Sequence, residues 1–257
     1  MEGPLTVAIG LVAGVLSGMF GIGGALVTTP AIRLLLGRPE LIAVGTPLPV
    51  IIPTAVAGAL VYARRGLIDT RTGFAVGAIG GAFAVLGARA TTLVGGDVVL
   101  VVTAALICWT AIDMLYLAFR SARPEHERVS HAERTRSWWW LGGLGAIAGL
   151  YSGFLGLGGG FIVVPALIRF FGFPPKRAVA TSLVVVSVLA IPGTITHYLL
   201  GNVDVGLALL LAAGVVPGAL LGARITSIAS ERPVQVGFAI VLLAVGAVLA
   251  ATELGIV

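Results

Sequence analysis

The chain has 257 residues, 58% hydrophobic and only 11% charged, with 16 Lys/Arg against 11 Asp/Glu for a formal charge of +5. Soluble domains carry about a quarter charged residues, so a soluble enzyme, a disordered chain and a nucleic-acid binder are all excluded. The sparse basic excess reads as the loop bias of a membrane protein.

A single cysteine, Cys108, excludes an intrachain disulfide framework and a cysteine-based metal site. The apolar runs are long and continuous, which argues for membrane helices rather than a transmembrane barrel.

The first apolar run covers 4–20. Glu2 is acidic where a cleavable signal peptide is positive, so the run is read as part of the protein. Gly10, Gly14 and Gly18 form a small-residue stripe that suits close helix packing. The run leads into Ser17-Gly18-Met19-Phe20-Gly21-Ile22-Gly23-Gly24. The next run, 25–37, contains Pro30 and is too short for a span, which needs about 20 residues.

Runs over 42–63, 72–94 and 98–119 follow, holding Thr46, Arg89 and Asp113 in turn. The polar stretch 120–137 concentrates Arg120, Arg123, Glu125, Glu127, Arg128, Glu133, Arg134 and Arg136, and reads as a linker. Trp138, Trp139 and Trp140 then form an interfacial aromatic belt. The remaining runs cover 138–155, 161–172, 178–199, 204–226 and 233–254.

The two sets of runs repeat. One gap-free offset of 135 aligns Gly18 with Gly153, Gly21 with Gly156, Gly23 with Gly158, Gly24 with Gly159 and Pro30 with Pro165. It also aligns Thr46 with Thr181, Asp69 with Asp204, and Gly87-Ala88-Arg89 with Gly222-Ala223-Arg224. The expected organisation is a first repeat over 1–119, a linker over 120–137 and a second repeat over 138–257.

If each half is a short-armed glycine hairpin plus three spans, its crossing parity is odd and the halves are inverted. Thirteen of the 16 basic residues then fall on one side, leaving Arg33, Arg38 and Arg89 on the other. Reading 4–37 as one long span divides the same charges evenly. The positive-inside rule therefore selects inverted halves, the 120–137 linker in the cytoplasm and both termini outside.

The hairpins carry the strongest local signal. Glycine permits sharp chain reversal and close backbone approach. The second arm of each hairpin starts at these glycines, so its free amides and positive dipole end point into the membrane. Helix N-termini bind anions, and two such ends meet near the midplane in inverted repeats. Gly21, Gly23, Gly24, Gly156, Gly158, Gly159 and Gly160 are the expected anion cradle. Close packing alone explains the Gly10/Gly14/Gly18 and Gly145/Gly149/Gly153 stripes. Gly160 has Ala25 as its counterpart, so the first hairpin is the less glycine-rich. Neither cluster has the third glycine of a dinucleotide fingerprint, and no Gly-Lys-Ser/Thr occurs.

Other side chains carry two readings each. Thr46, Thr181 and neighbouring Ser182 either donate to anion oxygens or cap helices. Ser17 and Ser152, one residue before a hairpin glycine, are minor ligands. Arg89 and Arg224 either pair with an oxyanion or snorkel to the interface, with the short distance from Arg89 to Gly95-Gly96 favouring snorkelling. Asp113 is either a proton-coupling acid or an interfacial acid. His197 and Tyr198 end a span beside Gly201-Asn202 and read as interfacial. Because His197 aligns with Tyr62 and Ser152 with Ser17, Ser152 and His197 do not form a dedicated catalytic dyad.

Two Gly-x-Gly-Gly hairpins, each followed by a proline and by a span opening at Val44-Gly45-Thr46-Pro47 or Val179-Ala180-Thr181-Ser182, resemble the sulfite exporter TauE/SafE family, also called toluene sulfonate uptake permeases. The resemblance covers nearly the whole chain. It implies transport of sulfur-containing anions such as sulfite, sulfonates or sulfoacetate across the plasma membrane.

The expectation is thus an all-α polytopic membrane protein of two inverted repeats. It acts as a secondary transporter of small anions, with an anion channel as the alternative and an intramembrane enzyme a distant third. Its partners are a small anionic substrate and the lipid bilayer, with no nucleic acid and no cofactor; proton coupling and a homodimer are left open.

Overall fold

The computed structural model describes residues 2–91, 105–116 and 138–253, and among them there are helices and no strand. The first half contains α1 (Glu2–Phe20), α2 (Ala25–Leu34), α3 (Glu40–Gly45), α4 (Pro47–Ala63), α5 (Thr70–Thr91) and α6 (Ala105–Tyr116). The second contains α7 (Trp138–Leu155), α8 (Gly160–Arg169), α9 (Pro175–Leu199), α10 (Val205–Ile228) and α11 (Glu231–Glu253). Among the described residues, six stretches are long and apolar enough to cross a membrane, and α2 and α8 are not. The linker 120–137 lies outside the described residues.

The hairpin arms are unequal. α1 has 19 residues and is itself long enough to span, whereas α2 has 10. The expected pair of short arms is therefore one long arm and one short one. An ion pair from Arg38 to Glu2, 3.2 Å long, brings the chain after α2 back to the start of α1.

Equivalent helices differ at one place. α9 runs unbroken from Pro175, but its counterpart is divided into α3 and α4 at Gly45-Thr46-Pro47. Pro47 has no amide to continue the helical ladder, and Ser182 at the matching position has one.

Packing crosses between the halves. On α1, methyls added at Gly10, Gly14 and Gly18 would strike the backbones of Leu211, Val215 and Ala219 on α10. In return, Gly214, Gly218 and Gly222 face Val7, Leu11 and Val15. α1 and α10 therefore run parallel, in contact along two glycine stripes. The same arrangement joins α7 to α5, with Gly145, Gly149 and Gly153 against Val76, Gly80 and Ala84. Thus the first arm of each hairpin is clasped by a helix of the opposite half.

α4 starts beside the start of α10, since Gly45 abuts Asn202, and ends with Tyr62 against Gly18. It runs the same way as α1 and α10. α9 runs with α5, since Gly73, Gly77 and Gly81 meet Val184, Val188 and Pro192.

Candidate functional site

The two hairpins have one backbone design. Gly21, Gly23 and Gly24 have φ of 73°, 78° and 85°; Gly156, Gly158 and Gly159 have 66°, 77° and 69°. Each of these is a left-handed conformation that costs an L-residue about 1–2 kcal/mol. Gly21 N donates to Ser17 O at 2.7 Å and Gly156 N to Ser152 O at 2.9 Å, closing the first arms. Gly24 and Gly159 then open α2 and α8 as left-handed N-caps.

The amides of Ile22 to Leu26 and of Leu157 to Phe161 donate to no acceptor among the described residues. These are the orphan donors of a helix start and the turn before it. Beside them stand the hydroxyls of Ser17 and Ser152, 0% and 1% exposed. Neither Oγ has a hydrogen-bond partner among the described residues. The Cβ of Ser17 lies 3.7 Å from where a methyl on Gly24 would sit, and that of Ser152 3.5 Å from the same point on Gly159. A buried polar group left unpaired costs about 1–3 kcal/mol, so an orphaned serine at both equivalent positions is costly as structure alone.

The tips meet. A methyl on Gly160 would lie 2.8 Å from Ile22 Cα, so the second hairpin needs its extra glycine where the first has Ala25. Around the contact, Ile22 and Leu157 are fully buried, as are Ile51 and Val186. By the repeat offset these are two equivalent pairs. They form an apolar plug between the two helix starts.

The remaining candidates fall into two groups. Thr46 and Thr181 hold the halves together: Asp204 N donates to Thr46 Oγ1 at 3.0 Å and Asp69 N to Thr181 Oγ1 at 3.1 Å. The two aspartates in turn cap the following helices, accepting from Leu207 N and Thr72 N. Ser182 Oγ donates to Gly21 O at 2.9 Å and to Val179 O at 2.8 Å, fixing the first hairpin against α9. Removing Thr181 Oγ1 orphans the buried amide of Asp69 and removing Thr46 Oγ1 the half-buried amide of Asp204, at a cost of about 1–3 kcal/mol for a buried group. Thr46→Val and Thr181→Val are each expected to lower the thermal midpoint in detergent, by an amount that matches this cost.

Arg89 and Arg224 are not brought to the hairpins. Their neighbours Gly87, Ala88, Gly222 and Ala223 are buried in the helix contacts, and both arginines stand on exposed faces. Asp113 on α6 pairs with Arg169, the last residue of α8, at a partly exposed position. Exposed ion pairs contribute about 0–1 kcal/mol. Asp113→Asn is therefore expected to cost at most about 1 kcal/mol of stability, read as the thermal midpoint in detergent.

His197 departs from the interfacial reading. It is fully buried, with Nε2 2.9 Å from Gly153 O and Nδ1 3.4 Å from Asn202 Nδ2, whereas Tyr198 is exposed. The cause is the end of α7, whose last carbonyls lack helical donors. At the end of α1 the equivalent Tyr62 donates its hydroxyl to Gly18 O at 2.8 Å. His197 and Tyr62 thus pin the two first arms at the same place. The alignment of the two positions was the signal that could have found the pair.

A polytopic helical membrane protein with cross-clasped halves and paired glycine hairpins is the class that this fold defines. The family model "Sulfite exporter TauE/SafE" matches residues 6–249, and the chain belongs to that family. Among its relatives is the probable membrane transporter protein YunE of Bacillus subtilis, 28% identical over 94% of this chain and 95% of its own length. A Xylella fastidiosa protein of similar description is 27% identical, covering 94% and 92%. A probable membrane transporter of Methanocaldococcus jannaschii is 26% identical, covering 91% and 90%. No solved structure matches the chain significantly. The chain is a membrane transporter of the TauE/SafE type.

Proposed function

We propose that the chain is a secondary transporter moving small sulfur-containing anions, such as sulfite or organosulfonates, across the plasma membrane. The observation that carries this is the pair of buried serines that, among the described residues, have no hydrogen-bond partner and stand beside the unpaired amides at the starts of α2 and α8. Amides and hydroxyls supply donors only where an anion's oxygens need them, and they add no fixed charge that would hold the anion too tightly. Thr46, Thr181 and Ser182 act one step behind, by holding the hairpins in place.

The halves are inverted repeats. α1 and α7 are equivalent by the offset, yet α1 runs with α4 and α10 while α7 runs with α5 and α9, which α4 and α9 oppose through Leu48 near Gly193 and Gly58 near Leu183. Arg64, Arg65, Arg71, Arg169, Lys176, Arg177 and Arg232 cluster toward the ends of α4, α8 and α10 and the starts of α5, α9 and α11. This supports a cytoplasmic side for that end and for the 120–137 linker, with the termini outside. The apolar plug of Ile22, Leu157, Ile51 and Val186 supports alternating exposure by rocking of the halves over a continuous pore.

Uptake of labelled sulfite and sulfoacetate into proteoliposomes, with and without a proton gradient, tests the proposal. Saturable flux is expected. No saturable anion flux under any gradient contradicts it.

A further inference from the structure

The repeat makes the two hairpins equivalent in backbone but not in lining. Thr28, Thr29 and Thr54 beside the first hairpin have Val163, Val164 and Leu189 as their counterparts. All three threonines are buried. Thr28 Oγ1 donates to Gly24 O at 3.3 Å and Thr54 Oγ1 to Val50 O at 2.5 Å. Thr29 Oγ1, like Ser17 Oγ, has no partner among the described residues. Thr29 lies one turn along α2 from Ala25, on the same face, and helical side chains lean back toward the N-terminus. The start of α2 is therefore flanked by two orphaned hydroxyls, and the start of α8 by one.

The space differs in the same sense. A methyl built on Gly24 finds nothing closer than Ser17 Cβ at 3.7 Å, with Ala13 O and Thr54 Cγ2 at 3.8 Å. A methyl built on Gly159 would lie 2.8 Å from Ala148 O. The first cradle is the roomier and the richer in hydroxyls; the second is close-packed and lined by branched apolar side chains.

Resting on the anion-transport reading above, we infer that the two cradles divide the work unequally: the start of α2, with Ser17 and Thr29, is the main seat of the oxyanion, and the start of α8, with Ser152 alone, is its close-packed and weaker counterpart. A sulfite or sulfonate group presents three oxygens, more than the amides of one helix turn can meet in line. Hydroxyls on α1 and α2 add donors from two further directions, which a monoatomic anion such as chloride does not need. The first cradle therefore selects tetrahedral or pyramidal oxyanions of sulfur over halide.

The test is sulfite and chloride binding to purified protein, with sulfite KM in proteoliposomes, for Ser17→Ala, Thr29→Val, Ser152→Ala and wild type. A hydrogen bond to a charged group is worth about tenfold in affinity or more. Ser17→Ala and Thr29→Val are each expected to raise the sulfite constant by about tenfold, with chloride competition within about twofold of wild type. Ser152→Ala is expected to raise the sulfite constant by no more than about threefold, well short of either of the other two. Thermal midpoints without ligand accompany each variant. Because neither serine hydroxyl has a partner to lose, both alanine variants should melt no lower than wild type, which separates a binding effect from a folding one. Equal losses from Ser17→Ala and Ser152→Ala overturn the division of labour and leave the hairpin site standing. No effect of any of the three on sulfite overturns the hairpin site itself.

Discussion

Gly149→Leu is expected to abolish accumulation of folded protein, whereas Gly143→Leu, six residues earlier on the same helix, is expected to leave it intact. A methyl at Gly149 would fall onto the backbone of Gly80, while at Gly143 nothing lies within 4 Å. Over-filling a packed contact costs about 1–3 kcal/mol when side chains can move aside. Here the obstruction is main chain, so α5 and α7 must separate and every glycine contact along them is lost together. Association of membrane helices rests on this close packing, since lipid offers apolar side chains as good a home. Gly14→Leu on α1 should behave as Gly149→Leu does, because its methyl meets Val215 on α10. Detergent gel filtration of a fluorescent fusion measures both: a monodisperse peak for Gly149→Leu would remove the clasp from the account.

The second large effect separates folding from transport at the hairpin. Gly24→Ala has room for its methyl but must hold a φ of 85°. That costs about 1–2 kcal/mol, and for a chain of this size about 2–4 °C of midpoint per kcal/mol. The protein should therefore still fold. Relaxing the strain rotates the free amides of Ala25 and Leu26 away from their shared direction, so sulfite transport should fall at least tenfold, out of proportion to the lost stability. Gly159→Ala pays the same torsional cost and also meets Ala148 O at 2.8 Å, so it should lose more stability than Gly24→Ala. A Gly24→Ala variant with wild-type flux would show that the amides of this turn are not aimed at the substrate.

The helix boundaries were largely legible because the apolar runs are ended by glycine, proline and charge. The runs 42–63 and 178–199 became Glu40–Ala63 and Pro175–Leu199. The hairpins were legible because their glycines recur at one offset, and that register also placed Thr46 opposite Thr181. What each threonine touches was not legible, since its partner lies 158 or 112 residues away on the other half. His197 was misread for the same reason. Its place at the end of an apolar run suggests the interface, but the carbonyl it satisfies belongs to Gly153, 44 residues earlier. The outward direction of Arg89 and Arg224 was available from helical period alone. Each directly follows a Gly-Ala pair that packs inward, and the next residue turns about 100° away from it.

The central claim is that uncharged backbone and buried hydroxyls beside a glycine hairpin, not arginine, receive the anion. Its most direct measurement is a structure of the protein with selenite, a sulfite analogue whose selenium scatters anomalously. The account predicts a selenium peak within hydrogen-bond reach of Ser17 Oγ and the amides of Gly24 to Leu26. A peak beside Arg89 or Arg224, with none at either hairpin, would contradict it.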